Sequence, residues 1–157
     1  MYHIIVEKDS LRVLDSSRER FSVRAANDTL RPGYYRIPFI ERFAPRTRHF
    51  GAGRMFIDAL SAKDVDGLVL AEKAERRFDV AMKLERLPVL SIGRPPDECS
   101  IHGGAETLSL SAAVSNYQPL LPSPCGIRIH NFDFDRIAEF LQSRLRIQQL
   151  IVLTVMP

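Results

Sequence analysis

Strands are predicted near the start of the chain, where apolar positions form short runs or alternate with polar ones. Residues 2–6 and 11–14 are two apolar runs joined by a polar turn. Residues 21–25 alternate apolar and polar side chains, which is typical of a strand with one buried face. Residues 34–40 predict a fourth strand, and Pro38 confines it to a sheet edge because proline has no N–H to donate.

The middle of the chain is less regular. Residues 41–53 contain Pro45, Gly51 and Gly53 and predict a long loop. The other elements predicted here are short: one or two helical turns at 54–60, a strand at 67–70, an amphipathic helix at 72–84, and strands at 89–92 and 108–114.

The last third has the clearest pattern. Residues 126–129 predict a strand, and Asp133 is a good N-cap for a helix that ends near Leu145. Residues 150–155 form a continuous apolar strand that suits the centre of a sheet. The stretches 67–92 and 126–155 thus share one order of strand, helix and strand, which favours right-handed crossovers. We expect an α+β fold, a mixed sheet with two or three helices.

Composition and length narrow the class of protein. The chain has 157 residues, 45% of them hydrophobic and 26% charged, which fits one globular domain spanning 1–157. No apolar run is long enough to cross a membrane. The first seven residues lack the basic lead of a signal peptide, and two cysteines are too few for a disulfide scaffold. A cytoplasmic protein is therefore expected.

Positive charge is concentrated before the midpoint. The net charge is only +3, yet residues 12–54 carry ten arginines against four acidic residues. Seven of the thirteen aromatic residues lie between Phe21 and Phe56. Arginine and aromatic side chains are enriched at interface hot spots and also suit stacking on single-stranded nucleic acid. The alternative is ordinary: the rings form core and the arginines a solvated rim, in a chain from a GC-rich genome.

We therefore expect a partner to contact the irregular segment 31–54, which we call the arginine–aromatic segment. The predicted contact residues are Arg31, Tyr34, Tyr35, Arg36, Arg42, Phe43, Arg46, Arg48, Phe50 and Arg54. Another protein is the favoured partner, and nucleic acid is the alternative.

Two cysteines and two histidines form the other candidate site. Cys99, His102, Cys125 and His130 are the residue types of a zinc site, although Cys125 and His130 would point to opposite faces of a strand. Either cysteine could instead form a thiolate–imidazolium pair, with the amides of Gly103-Gly104 facing an oxyanion. The simpler interpretation is that Cys125 is a small apolar core residue and the histidines are loop or surface groups. We predict no metal and no cofactor.

Residues 64–78, followed by Leu87-Pro-Val-Leu-Ser-Ile92, resemble a segment of small immunity proteins from bacterial polymorphic-toxin systems. These contain a short strand of the form Leu-Val-(Leu/Val)-Ser-Glu-(Lys/Arg) that enters a helix, and then a strand with a Pro-Val step. Residues 133–155 resemble their closing helix–strand unit. Ala71 stands where serine is usual, and the family's tyrosine-rich strand is not visible after Ile92. The resemblance implies a non-enzymatic protein that neutralises a toxin by binding it.

The favoured hypothesis is thus a non-enzymatic macromolecule-binding protein of the immunity type. A nucleic-acid-binding protein, and a Cys/His enzyme or zinc protein, are the alternatives.

Overall fold

The computed structural model describes residues 2–27, 29–61, 63–64, 93, 95, 98–124, 126–147 and 149–157. Within these residues, ten strands form one mixed sheet, accompanied by two helices. The strands are β1 (Tyr2–Glu7), β2 (Ser10–Asp15), β3 (Arg18–Asn27), β4 (Gly33–Arg36), β5 (Ile40–Thr47), β6 (Gly51–Phe56), β7 (Asp58–Ala59), β8 (Ser100–His102), β9 (Gly126–Ile129) and β10 (Ile151–Val155). The helices are α1 (Leu110–Ala113) and α2 (Asn131–Arg146).

The described residues are mostly β-sheet, so the prediction of an α+β fold with two or three helices is wrong. The sheet order is β5-β6-β8-β9-β3-β2-β1-β10-β4-β7. Strands β1, β2 and β3 form an antiparallel meander, in agreement with the alternating pattern of that part of the sequence. Strand β10 lies between β1 and β4, parallel to the first and antiparallel to the second. Its position away from the sheet edges confirms the prediction for the apolar run at 150–155.

The strand–helix–strand unit at 126–155 is present as β9, α2 and β10, but its two strands are not neighbours in the sheet. From β9 through β3 and β2 to β1, each pairing reverses the strand direction, and β1 is parallel to β10. Strands β9 and β10 therefore run in opposite directions. Helix α2 does not make the right-handed crossover between parallel strands that the sequence favours. The other unit, at 67–92, lies outside the described residues.

Residues 41–53 form a β-hairpin instead of the predicted long loop. Strands β5 and β6 pair antiparallel, with a shift in register between Arg42 and Thr47. Pro45 lies within this shift, on the outermost strand of the sheet, so its missing N–H interrupts no ladder. Gly53 marks close packing, since a Cβ there would lie 2.7 Å from the Phe134 ring of α2. The residues that suggested a loop therefore lie in strands: Pro45 on the edge strand, and Gly53 where the sheet packs closely against α2.

Two other short predictions are wrong. Residues 54–60 belong to β6 and β7 and are not helical. Residues 108–114 contain the short helix α1, not a strand, because the Ser109 hydroxyl caps it by accepting a hydrogen bond from the Ala112 amide at 3.3 Å. Alternation of leucine with small residues is therefore compatible with a capped helical turn.

Helix α2 confirms the helix predicted in the last third and extends it by three residues at its start. It begins at Asn131, so Asp133 lies in the first turn and is not the N-cap. Phe134, Ile137 and Ala138 are buried on the predicted apolar stripe, together with Leu141. They pack with the strands in one large hydrophobic core. Among the described residues no helix is both long and apolar enough to span a membrane.

Candidate functional site

Polar side chains collect at the carboxyl ends of β8 and β9, which are parallel neighbours. His102 ends β8 and is paired in register with Arg128 of β9. The chain leaves β8 through Gly103 and Gly104, and it leaves β9 directly into α2. Because the ends of parallel strands meet at one edge, residues that follow either strand are brought together there. We call this cluster the strand-end site.

His102 is the centre of the strand-end site, with only 1% of its surface exposed. Its Nδ1 lies 2.7 Å from the Gly103 carbonyl oxygen, and its Nε2 lies 2.8 Å from the Ser123 Oγ. A carbonyl oxygen only accepts, so in the neutral ring Nδ1 carries the proton and Nε2 is the acceptor. The Ser123 hydroxyl therefore donates to Nε2. This is the direction found where a base activates a hydroxyl nucleophile.

Burial keeps this imidazole neutral. It lowers the pKa of His102 from 6.5 to about 4, and the charges of Arg128 and His49 act in the same direction. The Gly103 carbonyl and the Glu106 carboxylate oppose the shift. At neutral pH, Nε2 is consequently available as a proton acceptor.

Ser123 lies on the segment that connects α1 to β9. Its own side chain is buried, whereas Pro122 and Pro124 on either side are exposed. The His102–Ser123 pair thus lies directly beneath the surface of the chain. Cys125, two positions further on, lies outside the described residues.

Arg128 borders the same pair and is fully buried. Its Nη2 donates to Glu106 Oε2 at 2.6 Å, and its Nη1 donates to the carbonyl oxygens of Leu121 at 2.8 Å and Pro122 at 3.2 Å. Desolvation acts to raise the pKa of the Glu106 carboxyl, but a hydrogen bond from the Glu106 backbone amide and the adjacent Arg128 guanidinium outweigh it, so this pKa is lowered. The buried charge is therefore neutralised by one carboxylate and attached to the segment that carries Ser123.

Asn131 holds the other side of the strand-end site together. Its Oδ1 accepts from the amides of Ala52 at 2.9 Å and Gly104 at 3.2 Å. Its Nδ2 donates to the carbonyl oxygens of Ala113 at 2.9 Å and Ser115 at 2.7 Å. One buried side chain thereby joins β6, the loop after β8 and the end of α1.

The glycine loop after β8 does not present its amides to a ligand. Gly103 donates to the Phe50 carbonyl oxygen at 3.1 Å, and Gly104 donates to Asn131. The prediction that these two amides face an oxyanion is wrong, because both are used within the chain. Gly103 is needed for another reason: a Cβ there would lie 2.0 Å from Asn131 Oδ1.

Most arginines of the arginine–aromatic segment that lie on strands are paired within the chain. Arg42 and Arg46 both reach Asp135 of α2, at 3.2 Å and 2.9 Å. Arg36 reaches Asp58 at 3.2 Å. These pairs fasten β5 to α2 and β4 to β7, and the backbone of the segment is largely strand rather than irregular.

The rings of the segment pack largely against other groups of the chain. Tyr35 is buried in the core, and Phe43 contacts Phe50 with ring centroids 6.2 Å apart. The Arg54 guanidinium lies over two rings, 4.1 Å from Phe50 and 4.5 Å from Phe56. Phe50 also meets the His102 ring edge-on at 5.4 Å, so this part of the segment borders the strand-end site.

A smaller set of residues in the segment remains accessible. Arg31, Arg42 and Arg48 are exposed, Phe39 is 54% exposed, and Tyr34 is half-buried. The prediction that the arginine–aromatic segment contacts another molecule stays a prediction.

The predicted cysteine–histidine set is only partly within the described residues. Cys99 is buried in the hydrophobic core. The simpler interpretation concerns Cys125, which lies outside the described residues. Its expectation of loop or surface histidines is wrong for His102, which ends β8 and is 1% exposed. His130 Nδ1 lies 2.9 Å from the Gln118 carbonyl oxygen. In the described part of the chain, no three His, Cys, Asp or Glu side chains are grouped closely enough to hold a metal ion.

Comparison with protein-family models, with curated sequences and with solved structures finds no match for this chain. The resemblance to immunity proteins therefore stays a prediction.

Proposed function

We propose that the chain is an enzyme that hydrolyses or transfers acyl groups through a covalent intermediate on Ser123, with His102 as general base. The observation that supports this is the orientation of the imidazole. The Gly103 carbonyl oxygen accepts a hydrogen bond from Nδ1 and so keeps the proton there. Nε2 accepts a hydrogen bond from the Ser123 hydroxyl at 2.8 Å. A nucleophile within hydrogen-bond reach of a base that is itself oriented by a third group is the arrangement that covalent catalysis needs.

The proposed reaction is balanced by one proton shuttle. Ser123 Oγ attacks the carbonyl carbon of an ester or amide, and its proton passes to His102 Nε2. The imidazolium then gives this proton to the departing alcohol or amine, which leaves an acyl-Ser123 ester. Water then attacks the ester carbonyl and gives its proton to the same Nε2. Nε2 passes this proton to Ser123 Oγ as that oxygen leaves, so the serine hydroxyl is restored and the carboxylic acid is released. Access requires the surface segment of Pro122 and Pro124 to move outward.

The sequence offers Cys125 as a second candidate nucleophile. Its thiol lies two positions from Ser123 in the sequence, and a thiolate is intrinsically the stronger nucleophile. The choice between the two is part of the test.

Labelling with mechanism-based probes tests the proposal. A fluorophosphonate should modify Ser123, and iodoacetamide should test Cys125, each located by mass spectrometry. We expect Ser123→Ala and His102→Asn to reduce fluorophosphonate labelling by at least about 100-fold, since each removes a partner of the nucleophile–base pair. Ser115→Ala, at an exposed serine, is the matched control and should label like the unchanged chain.

The outcomes separate the nucleophiles. Labelling of Cys125 that depends on His102, without labelling of Ser123, would replace the serine by the thiol in the same mechanism. A chain that takes up neither probe refutes the enzyme proposal. Because the pKa of His102 is about 4, the labelling rate should stay level from pH 8 to about pH 5 and fall below that.

We also propose a partner-binding function, in which the accessible residues of the arginine–aromatic segment bind another protein such as a toxin. It is supported by the exposure of Phe39, Arg42 and Arg48. Phe39→Ser combined with Arg48→Glu should weaken capture of a co-encoded toxin by at least about 10-fold, as hot-spot substitutions do. Arg24→Glu, at an exposed position of β3, is the control. Equal capture by all three chains would contradict this proposal.

A further inference from the structure

Arg128 is the most unusual buried residue in the described part of the chain. It lies between Ile127 and Ile129 in the middle of β9, where all four positions of the strand are buried. Removing a guanidinium from water is costly unless its charge and donors are matched. An apolar side chain would fill such a position at lower cost, so the contacts of the guanidinium need an explanation.

Those contacts lead to the nucleophile segment. Nη1 donates to the carbonyl oxygens of Leu121 and Pro122, the two residues that immediately precede Ser123. The Pro122 carbonyl belongs to the peptide bond whose nitrogen is that of Ser123, so holding it fixes where the Ser123 side chain begins. Glu106 holds the opposite end of the guanidinium at 2.6 Å.

The base lies on the adjacent strand at the same level. His102 and Arg128 are register partners across the parallel β8–β9 pair. One strand therefore carries the base, and its neighbour carries the side chain that holds the nucleophile segment. The distance between Nε2 and Oγ depends on both.

We propose that Arg128, anchored by Glu106, is a positioning residue that holds the 121–123 segment so that the Ser123 hydroxyl stays on His102 Nε2. This inference rests on the proposed function and adds to it the part of the chain that sets the geometry. Misplacement of reacting groups by about 1 Å can lower a rate by about 100-fold. Loss of the guanidinium fork should therefore slow the reaction of Ser123.

Arg128→Lys tests this directly, because it keeps the positive charge but cannot bridge two carbonyl oxygens and a carboxylate with planar donors. We expect a fluorophosphonate labelling rate at Ser123 at least about 10-fold below that of the unchanged chain, with cooperative thermal unfolding retained. Arg24→Lys makes the same chemical change at an exposed position and should have no effect. Added methylguanidinium should restore part of the rate in Arg128→Ala.

A second measurement is independent of activity. The ring nitrogen shifts of His102, read by NMR, report whether Nε2 still accepts a hydrogen bond, and they should change in Arg128→Lys but not in Arg24→Lys. Gly103 and Ser123 hydrogen-bond to this ring, Phe50 packs against it edge-on, and the charges of Arg128, His49 and Glu106 act on it. Of these groups only Arg128 is altered. If Arg128→Lys does not fold, Glu106→Gln at a partly exposed position should give the same changes at smaller size.

The two failures can be told apart. Normal labelling of a folded Arg128→Lys chain overturns the positioning role and leaves the proposed function intact. An unchanged chain that takes up no probe overturns the proposed function. In that case the NMR shifts still test the positioning role. Unchanged His102 shifts in Arg128→Lys overturn it as well, and altered shifts support the placement of Ser123 on His102 by Arg128.

Discussion

Asn131→Leu is expected to lower the free energy of unfolding by at least about 4 kcal/mol, because four hydrogen bonds of a fully buried side chain are lost at once. Leucine has a similar volume, so the loss reflects polar groups more than a cavity. The amides of Ala52 and Gly104 would be left without an acceptor, and the carbonyl oxygens of Ala113 and Ser115 without this donor. Substitutions that leave buried polar groups unpaired are among those that lower protein stability most.

Urea unfolding at neutral pH measures this effect. Asn116→Leu is the control, since Asn116 is exposed close by in the sequence and only its backbone carbonyl is used, by the Phe132 amide. A loss below about 1 kcal/mol for Asn131→Leu would mean that water replaces its partners, and the role assigned to Asn131 would be wrong.

The stability of the folded chain is expected to fall steeply as the pH is lowered from 6.5 to 4. Burial lowers the pKa of both His3 and His102 from 6.5 to about 4. In this window the unfolded chain binds protons at these two positions and the folded chain does not, so protonation favours unfolding. Each shift corresponds to roughly 3 kcal/mol, fully present above pH 6.5 and lost as the pH falls to about 4.

Urea unfolding between pH 7.5 and 4 provides the measurement, with His3→Leu/Thr154→Val as the comparison. His3 Nε2 lies 2.5 Å from Thr154 Oγ1, and replacing both partners by apolar groups removes the titrating ring without leaving a lone polar partner. The double variant should lose about half of the pH dependence. A stability that does not change between pH 6.5 and 4.5 would contradict the burial of both rings as neutral bases.

The sequence predicted those elements whose pattern matches one periodicity. Strands β1, β2 and β3 alternate or form short apolar runs, and α2 carries a continuous apolar stripe from Phe134 to Leu141. Strand β5 and β6 were missed because Pro45 and Gly53 usually interrupt elements. Pro45 is tolerated because β5 is an edge strand, and Gly53 is favoured because α2 packs closely against it. Both depend on the tertiary structure, which local sequence patterns do not show.

The candidate site was predictable only in part. His102 and the glycines after it were singled out, but with Cys99 as the partner, because the two are close in the sequence. The actual hydrogen-bond partner, Ser123, is 21 residues away on the segment that precedes β9, and it reaches His102 only through the packing of this segment in the folded chain. Arg128 did leave a signal: a charge between two isoleucines of a buried strand. Asn131 left none.

The position of β10 has a consequence for how the chain folds. Strand β10 follows the other nine in sequence, yet it fills the gap between β1 and β4. Of the described strands, seven lie on one side of β10 and two on the other, so β1 and β4 each lack a partner on the facing edge until β10 is synthesised. Contacts that span nearly the entire chain are slow to form and expose edges in the meantime. A chaperone that binds the exposed edge of β1 or β4 would protect the nascent chain from pairing with other chains before β10 is in place.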